Sequence, residues 1–574
     1  LPNSLALLPA PFFDRHDNRL LTLPIVLPQN QQQQTLRAAG IVASWFGALA
    51  DYRHARFTVA SALPADTHAI VFALPGATPP GVTLPEIKGP TITVLDNPAA
   101  PAPSGRKLLV VAGRNEKELD TAAEALVLGR AGMAGNAALI KSVDLGPSRH
   151  PYDAPNWAPV NRPIQFRELV TDPQQLQVSG YSPPLIRVNL RVPPDLYAWA
   201  HQSVPLDVHF RYTAPSTYND SILNVDINDQ LVRSERLAPK RASGERFRVN
   251  VPLLSSVDTS ATDEVGVPVF RVAANNQFQF QFHMDSQKTG LCASAATDVA
   301  RASIDPDSSI DFSGFAHYTA LPNLSYFASS GYPFSRMADL SETAVIVPDS
   351  PTPDDLATAF TLLGRIGEWT GLPALRVAVL PASKVSTVRG RDLLVIGSGS
   401  AADLLARWHK SLPLLISQGN TVLKLRDQRS GGTWTGLFSG QRTVEGPVGL
   451  ATIATTGPLA ALVGFESPLA SKRSVVAVVA TSPAQFGSVL DGLQDDARVA
   501  NVRGDLAVFR EDQIDSLRVG DTYLVGDLPW YARFWVFISQ YPALLAIAGI
   551  IAGLVVALTV FWALSRLAAR RTGS

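Results

Sequence analysis

TAVIVPD, residues 343–349, leads into TPDDLATAFTLLGRIGEWTG, residues 352–371. The first is a short apolar run of the kind a strand buried on both faces requires, and the second repeats its apolar residues at helical spacing. LRVAVLPA (375–382) and DLLVIGSG (392–399) give further strand signals, and SVVAVVA (474–480) leads into a helical SPAQFGSVLDGL (482–493). Short apolar runs separated by helices predict buried parallel strands in an open α/β sheet.

The same grammar occurs nearer the N-terminus. LLTLPIVLP (20–28) precedes the apolar-periodic TLRAAGIVASWFGALADY (35–52), then RFTVAS, HAIVFAL, TITVLD and KLLVVAG, and NEKELDTAAEALVLG (115–129) closes the unit. The strands 56–61 and 376–382 lie about 320 residues apart, as do 69–74 and 392–397, which predicts a duplicated α/β domain. Between the copies a Pro-rich linker, DLGPSRHPYDAPNWAPVNRP, gives way to strands of period two. PLIRVNLRV, LDVHFRY, SILNVDI, QLVRSERL, RFRVNVPLL and FQFQFHM alternate apolar and polar positions, with Asn228-Asp229 placed as a hairpin turn. This pattern predicts a β-sandwich of jelly-roll type.

ALLAIAGIIAGLVVALTVFWAL (543–564) carries no charge over 22 residues and makes a helix about 33 Å long, enough to cross a bilayer. Arg566, Arg570 and Arg571 follow it and only Arg533 lies close before it, so the tail is expected on the cytoplasmic side and the bulk on the other. In a bacterium that is the periplasm, which requires export and hence a leader upstream of Leu1. Just before the span, Trp530, Phe534, Phe537 and Tyr541 fall on one helical face, and Tyr531 and Trp535 extend an aromatic belt suited to the lipid headgroup region. Gly549 and Gly553 form a small-xxx-small pair that lets another helix approach.

Lys+Arg and Asp+Glu are equal at 49, which argues against a generally basic nucleic-acid binder. The single cysteine, Cys292, excludes a disulfide scaffold and a Cys-based metal site. The histidines are scattered and form no metal-ligand motif. Gly397-Ser398-Gly399-Ser400-Ala401-Ala402 matches G-x-G-x-x-A after a strand, yet the following PLLISQGN lacks the acidic residue a ribose needs. It reads as a tight strand-to-helix turn. LPQNQQQQ and PDSPTPDD stand where a flavin phosphate loop would be, and the acids of the second would repel phosphate, so no cofactor is expected. No nucleophile elbow occurs; a carboxylate pair for glycoside hydrolysis stays open. Trp157, Tyr181, Tyr197, Trp199, Tyr212 and Tyr218 in the β region offer flat rings suited to sugar faces.

LPNLSYFASSGYPFSRMADLSETAVIVP (321–348) resembles the family of periplasmic regulatory (B) subunits of bacterial cellulose synthase, and the order of segments resembles it along the whole chain. The resemblance implies two flavodoxin-like α/β domains without flavin (1–143 and 341–526) flanking a jelly-roll, carbohydrate-binding-like domain (161–340). It further implies a linker (144–160), an interfacial helix (527–541), a transmembrane helix (542–565) and a cytoplasmic tail (566–574). A leader and a first carbohydrate-binding domain are expected upstream. The implied role is non-catalytic: to support a membrane glycosyltransferase that polymerises UDP-glucose, and to guide the emerging β-1,4-glucan. Implied partners are that catalytic subunit, the glucan and the bilayer, with no nucleic acid. Sugar contacts are expected at Tyr181, Tyr197, Trp199, Tyr212 and Tyr218, and docking at Trp530, Tyr531, Phe534, Trp535, Phe537, Tyr541, Gly549 and Gly553. Cyclic di-GMP is expected to act through the catalytic partner, because Ser565–Ser574 alone would face the cytoplasm. An anchored glycan hydrolase and an envelope solute-binding or sensor protein are the alternatives.

Overall fold

The computed structural model describes residues 2–572 apart from 30–31, 80, 85, 102–103, 181, 198–202, 215–220, 239–244, 253–274, 285–299, 418–419, 427–447, 455–456, 512 and 540–541. The first α/β unit contains β1 (Leu21–Val26), α1 (Gln33–Ala50), β2 (Ala55–Ala60), β3 (Ala69–Ala73), β4 (Thr91–Asp96), β5 (Lys107–Ala112), α2 (Glu116–Gly129) and β6 (Ala137–Leu139). Its sheet order is β2-β1-β3-β5-β4-β6. The first four strands are parallel, while β4 and β6 run antiparallel to their neighbours. The expectation of parallel strands throughout fails at TITVLD because residues 97–106 are too few for the crossover helix that a parallel return needs.

The β region comprises β7 (Ile164–Gln165), α3 (Phe166–Leu169), β8 (Gln177–Ser179), β9 (Ile186–Arg191), β10 (Leu196–Tyr197), β11 (Ser203–Tyr212), β12 (Ile222–Ile227), β13 (Gln230–Arg236), β14 (Glu245–Pro252), β15 (Asn275–His283), β16 (Arg301–Ile304) and β17 (Ser309–Ile310). Two antiparallel sheets result, β7-β17-β11-β16-β8 with β14 also on β11, and β13-β12-β15-β9. Their inner faces meet through Val188, Leu190, Phe278, Phe280, Leu206 and Val208, as the period-two pattern demands. Asn228 and Asp229 take φ values of 51° and 63°, the primed-turn geometry that matches the strand twist at the β12–β13 hairpin.

The second α/β unit follows with β18 (Ala316–Leu321), α4 (Leu324–Ser330), β19 (Thr343–Val347), α5 (Pro353–Thr370), β20 (Ala378–Pro381), β21 (Asp392–Gly397), α6 (Gly399–Arg407), β22 (Leu414–Ser417), β23 (Asn420–Arg426) and β24 (Val448–Ala454). It ends with β25 (Ala460–Glu466), β26 (Ser474–Ala480), α7 (Phe486–Gln494), α8 (Asp496–Val499), β27 (Leu506–Phe509) and β28 (Ile514–Leu517). The main sheet runs β20-β19-β21-β26-β25-β27-β28. Its first six strands repeat the order of the first unit, with β20 where β2 stands and β21 where β3 stands. The similarity of pattern read 320 residues apart is therefore a similarity of topology.

The two units share one core. A single buried cluster takes in Ile25, Phe46 and Phe57 from the first and Val345, Phe360 and Leu363 from the second. At its centre α1 crosses α5 with the two backbones in contact. A Cβ added at Gly47 would lie 2.0 Å from the Gly364 carbonyl oxygen, and one at Gly367 would lie 2.1 Å from that of Ser44. Polar groups close the seam: the Ala374 amide donates to Ser44 Oγ at 2.7 Å, and the Phe57 amide to Thr361 Oγ1 at 3.1 Å. At the end of α5, Arg365 bonds both Glu368 oxygens at 2.7 Å. The Glu368 carbonyl there accepts from Asn156 of the linker (3.0 Å) and Arg191 of β9 (2.8 Å), so α5 also reaches the linker and the β region.

Gly47→Ala is expected to cost about 3 kcal/mol by forcing the helices apart, with a single shared unfolding transition for both units. Gly132→Ala, with nothing within 4 Å of its Cβ, serves as the near-neutral control in the same denaturant titration. On β11, hydrogen bonds from Arg246 first and Arg248 next hold the Asp207 carboxyl at about 2. Its stabilising contribution is then complete above about pH 4 and lost as pH falls through about 2. Asp207→Asn should be less stable than the parent chain at pH 7 and indistinguishable from it below pH 2 in acid titrations.

Candidate functional site

β18 pairs on one side with β10 and on the other with β29 (Tyr523–Gly526), which leads directly into α9 (Trp530–Ser539) and α10 (Pro542–Thr572). This small sheet carries Tyr197 and Tyr318, 5.9 Å apart edge to face. Leu528, just before α9, and Ala532 and Val536, four residues apart on one face of it, pack onto them. That burial decides which side of α9 looks outward. Trp530, Tyr531, Phe534 and Trp535 are 80%, 51%, 60% and 48% exposed. Large rings left in water beside an apolar helix are the arrangement of a headgroup-level or partner-facing surface. The side chain of Phe537, and Tyr541, lie outside the described residues.

Beneath the small sheet lies a buried carboxylate. Asp195, 1% exposed, accepts the Tyr152 hydroxyl at 2.5 Å and the Tyr332 hydroxyl at 3.1 Å on one oxygen, and faces His317 Nδ1 at 3.0 Å on the other. Tyr152 stacks on His317 with centroids 3.5 Å apart. Burial first, and then the Asp195 charge, push both phenols above their ordinary range, so they remain donors. Tyr152 belongs to the linker, Asp195 to the β region, and Tyr332 to the segment entering the second α/β unit. The Asp527 amide in turn donates to the His317 carbonyl at 3.0 Å, which ties the start of the aromatic helix to the same cluster.

α10 is 31 residues long, and Ala546–Leu567 within it is apolar and long enough to cross a membrane. None of that span is buried by the rest of the chain. Gly549 and Gly553 have nothing within 4 Å of where a Cβ would lie, so their face is open to a partner helix. Arg566 lies over the Trp562 ring at 3.6 Å near the end of the span.

The aromatic residues expected to meet sugar are placed differently. Tyr197 is 5% exposed beneath α9, and Tyr212 is 8% exposed, its hydroxyl donating to the Ala238 carbonyl (3.0 Å) and facing Glu245 at 2.9 Å. Trp157 is 4% exposed. These rings are core, and none presents a face to a glycan; alternation alone does not separate an inward ring from an outward one at the ends of a sheet. Tyr181, Trp199 and Tyr218 lie outside the described residues.

A cavity of about 530 Å³ opens at the carboxyl ends of β19, β21 and β26, the switch point where doubly wound sheets place ligands. The chain sets its own carboxylate at the helix start there. Asp355, fully buried, accepts from the Thr352 amide (2.7 Å), Thr352 Oγ1 (2.8 Å) and Ser398 Oγ (2.5 Å). A capping box of this kind uses the donors that a phosphate would otherwise take. Gly399, at φ 48°, makes the turn into α6, as read for the G-x-G-x-x-A segment. No group of three or more His, Cys, Asp or Glu residues among the described residues is placed to hold a metal.

Asp195→Ala would strand two phenols and an imidazole in a buried site and is expected to cost about 3 kcal/mol or more. Chymotryptic cleavage within residues 528–536 should accelerate as α9 loosens; a cleavage rate equal to that of the parent chain would show that the cluster does not hold the helix.

Three domain models of one family match the chain: cellulose synthase BcsB first FD domain over residues 4–140, second CBM domain over 163–309, and second FD domain over 317–478. A protein of Xanthomonas axonopodis pv. citri named "Cyclic di-GMP-binding protein" is 39% identical over 592 aligned positions, covering 100% of this chain and 73% of that protein. The Escherichia coli K12 protein of the same name is 35% identical, with 99% and 72% covered. A longer protein of Novacetimonas hansenii, "Cellulose synthase 1", is 31% identical over 99% of this chain and 37% of its own length. The relation extends through the β region, the aromatic helix and the span alike: the chain belongs to the cellulose synthase BcsB family.

Proposed function

We infer that the chain is the membrane-anchored, non-catalytic subunit of a bacterial cellulose synthase, and that its C-terminal helices are the part that holds the catalytic glycosyltransferase. The observation that carries this reading is the outward aromatic face of α9. It is fixed to the folded bulk by Tyr197 and Tyr318 and joined to an uncovered span. A helix clamped on one side and open on the other can transmit position between a membrane partner and the domains above it.

The finer reading follows the basic residues. Arg566, Arg570 and Arg571 set the tail in the cytoplasm and the α/β and β domains in the periplasm, with the span in the inner membrane. Two flavodoxin-like units flank a jelly-roll domain over the boundaries read from the sequence. The catalytic subunit makes β-1,4-glucan from UDP-glucose and passes it outward, and this chain receives it. The relatives' name refers to cyclic di-GMP. For this chain we assign the nucleotide's effect to the catalytic partner, because the described bulk lies across the bilayer from the cytoplasmic nucleotide.

The test is UDP-glucose incorporation into cellulase-sensitive polymer in lipid, with the catalytic partner and either the full chain, a chain ending at Gly526, or Trp530→Ser/Phe534→Ser. Synthesis should require the full chain, and the double variant should fall at least tenfold in co-purification with the partner, as expected when two large apolar contacts are lost. Equal synthesis by the full chain and the chain ending at Gly526 would make the anchor a tether and sink the reading.

A further inference from the structure

The two outer faces of the β-sandwich differ in kind. On the β11 sheet the outward groups pair with one another: Asp207 with Arg246 (2.8 Å), Arg211 with Asp305 (2.9 Å) and His209 with Asp307 (3.0 Å). A face saturated with its own ion pairs has little left to offer a ligand. On the sheet β13-β12-β15-β9 the outward residues include six amides, Asn189, Asn224, Asn275, Gln277, Gln279 and Gln281. Cross-strand register sets Asn224 opposite Gln281, Asp226 opposite Gln279, Gln279 opposite Arg187 and Gln277 opposite Asn189. Opposed residues of antiparallel strands share a face, so these side chains form adjoining rows.

Part of their hydrogen-bonding capacity is used to set the rows in place. Gln277 Nε2 donates to Asn189 Oδ1 at 3.0 Å, Gln279 Nε2 to Asp229 Oδ1 at 2.7 Å, and Ser234 Oγ to Asn224 Oδ1 at 2.6 Å. What remains for a ligand is the Asn224 and Asn189 amide donors, both ends of the exposed Gln281, and the Asp226 carboxylate, with Gln279 buried between the rows. Among the described outward residues of these strands there is no Trp, Tyr or Phe; at the centre of the face Arg187 stands against Asp226, and Arg191 and Arg236 lie toward its two ends.

We propose that this face, centred on Asn224, Asp226, Gln279 and Gln281, is a hydrogen-bonding track for a neutral polyhydroxylated chain, a β-linked glucan, and this rests on the glucan-guiding reading above. An amide offers one donor group and one acceptor, as a hydroxyl does, so rows of amides match a polymer whose edges are all hydroxyl. A polyanion would need cations clustered at the centre of the face, where Arg187 stands against Asp226. A protein partner would need a desolvated apolar centre, and here Ile222 and Leu231 are the apolar outward residues. Hydrogen bonds exposed to water are individually weak and exchange readily, so such a track aligns a moving chain without arresting it, in contrast to a stacked aromatic platform.

The proposal is tested with the full chain in detergent micelles, by depletion isotherms on regenerated amorphous cellulose. Asn224→Ala/Gln281→Ala should weaken binding about tenfold, the effect of losing two to three solvent-competed hydrogen bonds. Arg211→Ala on the opposite face should bind as the parent chain does, and thermal melting should show all three folded. Parent-like binding by the double variant overturns the track while leaving the guiding reading to other surfaces. Equal loss in Arg211→Ala also overturns it. Failure of the parent chain to bind cellulose, or stronger binding to polygalacturonate, overturns the track and glucan guidance together, while co-purification with the catalytic subunit still tests the anchoring role.

Discussion

The architecture rests on two helices whose backbones touch. α1 and α5 cross where Gly47 meets Gly364 and Gly367 meets Ser44, at distances that leave no room for a side chain. Close approach brings both sheets onto one helical layer and merges two α/β cores that could otherwise have been separate beads. Every longer-range contact of α5 depends on that seat. Its first turn supplies Asp355 to the switch-point cavity, and its last turn offers the Glu368 carbonyl to the linker and to β9.

Rigid seating of the α/β pair matters because the functional end lies elsewhere. The small sheet of β10, β18 and β29 draws one strand from the β region, one from the segment leaving it, and one from the end of the second unit. Asp195 stitches the linker and the second unit to that sheet through two phenols and an imidazole. The aromatic helix packs on the sheet through small and branched residues, and it turns its large rings away. The aromatic helix is therefore seated on a sheet that shares β10 with the β region.

Much of this was legible in the residues. TAVIVPD, DLLVIGSG and SVVAVVA are strands β19, β21 and β26 where their apolar runs stand, and the run from Thr352 to Gly371 is α5. The Asn228-Asp229 hairpin followed from the left-handed conformations those residues tolerate. The β4 direction did not, since strand direction depends on how long a connection is and not on what the strand contains. The aromatic residues failed for a different reason. Tyr197 and Tyr212 sit at strand ends where alternation gives no reliable side, and each was claimed by partners more distant in sequence, α9 for one and Ala238 and Glu245 for the other.

Element types, the repeated strand pattern, the long apolar C-terminal helix and the family could be read from the residues alone, because periodicity, turn chemistry and uninterrupted apolar length are local properties. Tertiary structure alone decided that the two α/β units share a core, that Asp355 occupies the helix start at the cavity, and that Trp530 and Phe534 face outward while Tyr197 does not. Those outcomes depend on which surfaces meet. A glycine reads the same in a chain whether it permits a turn or a helix crossing, and a tyrosine reads the same whether another helix covers it or not.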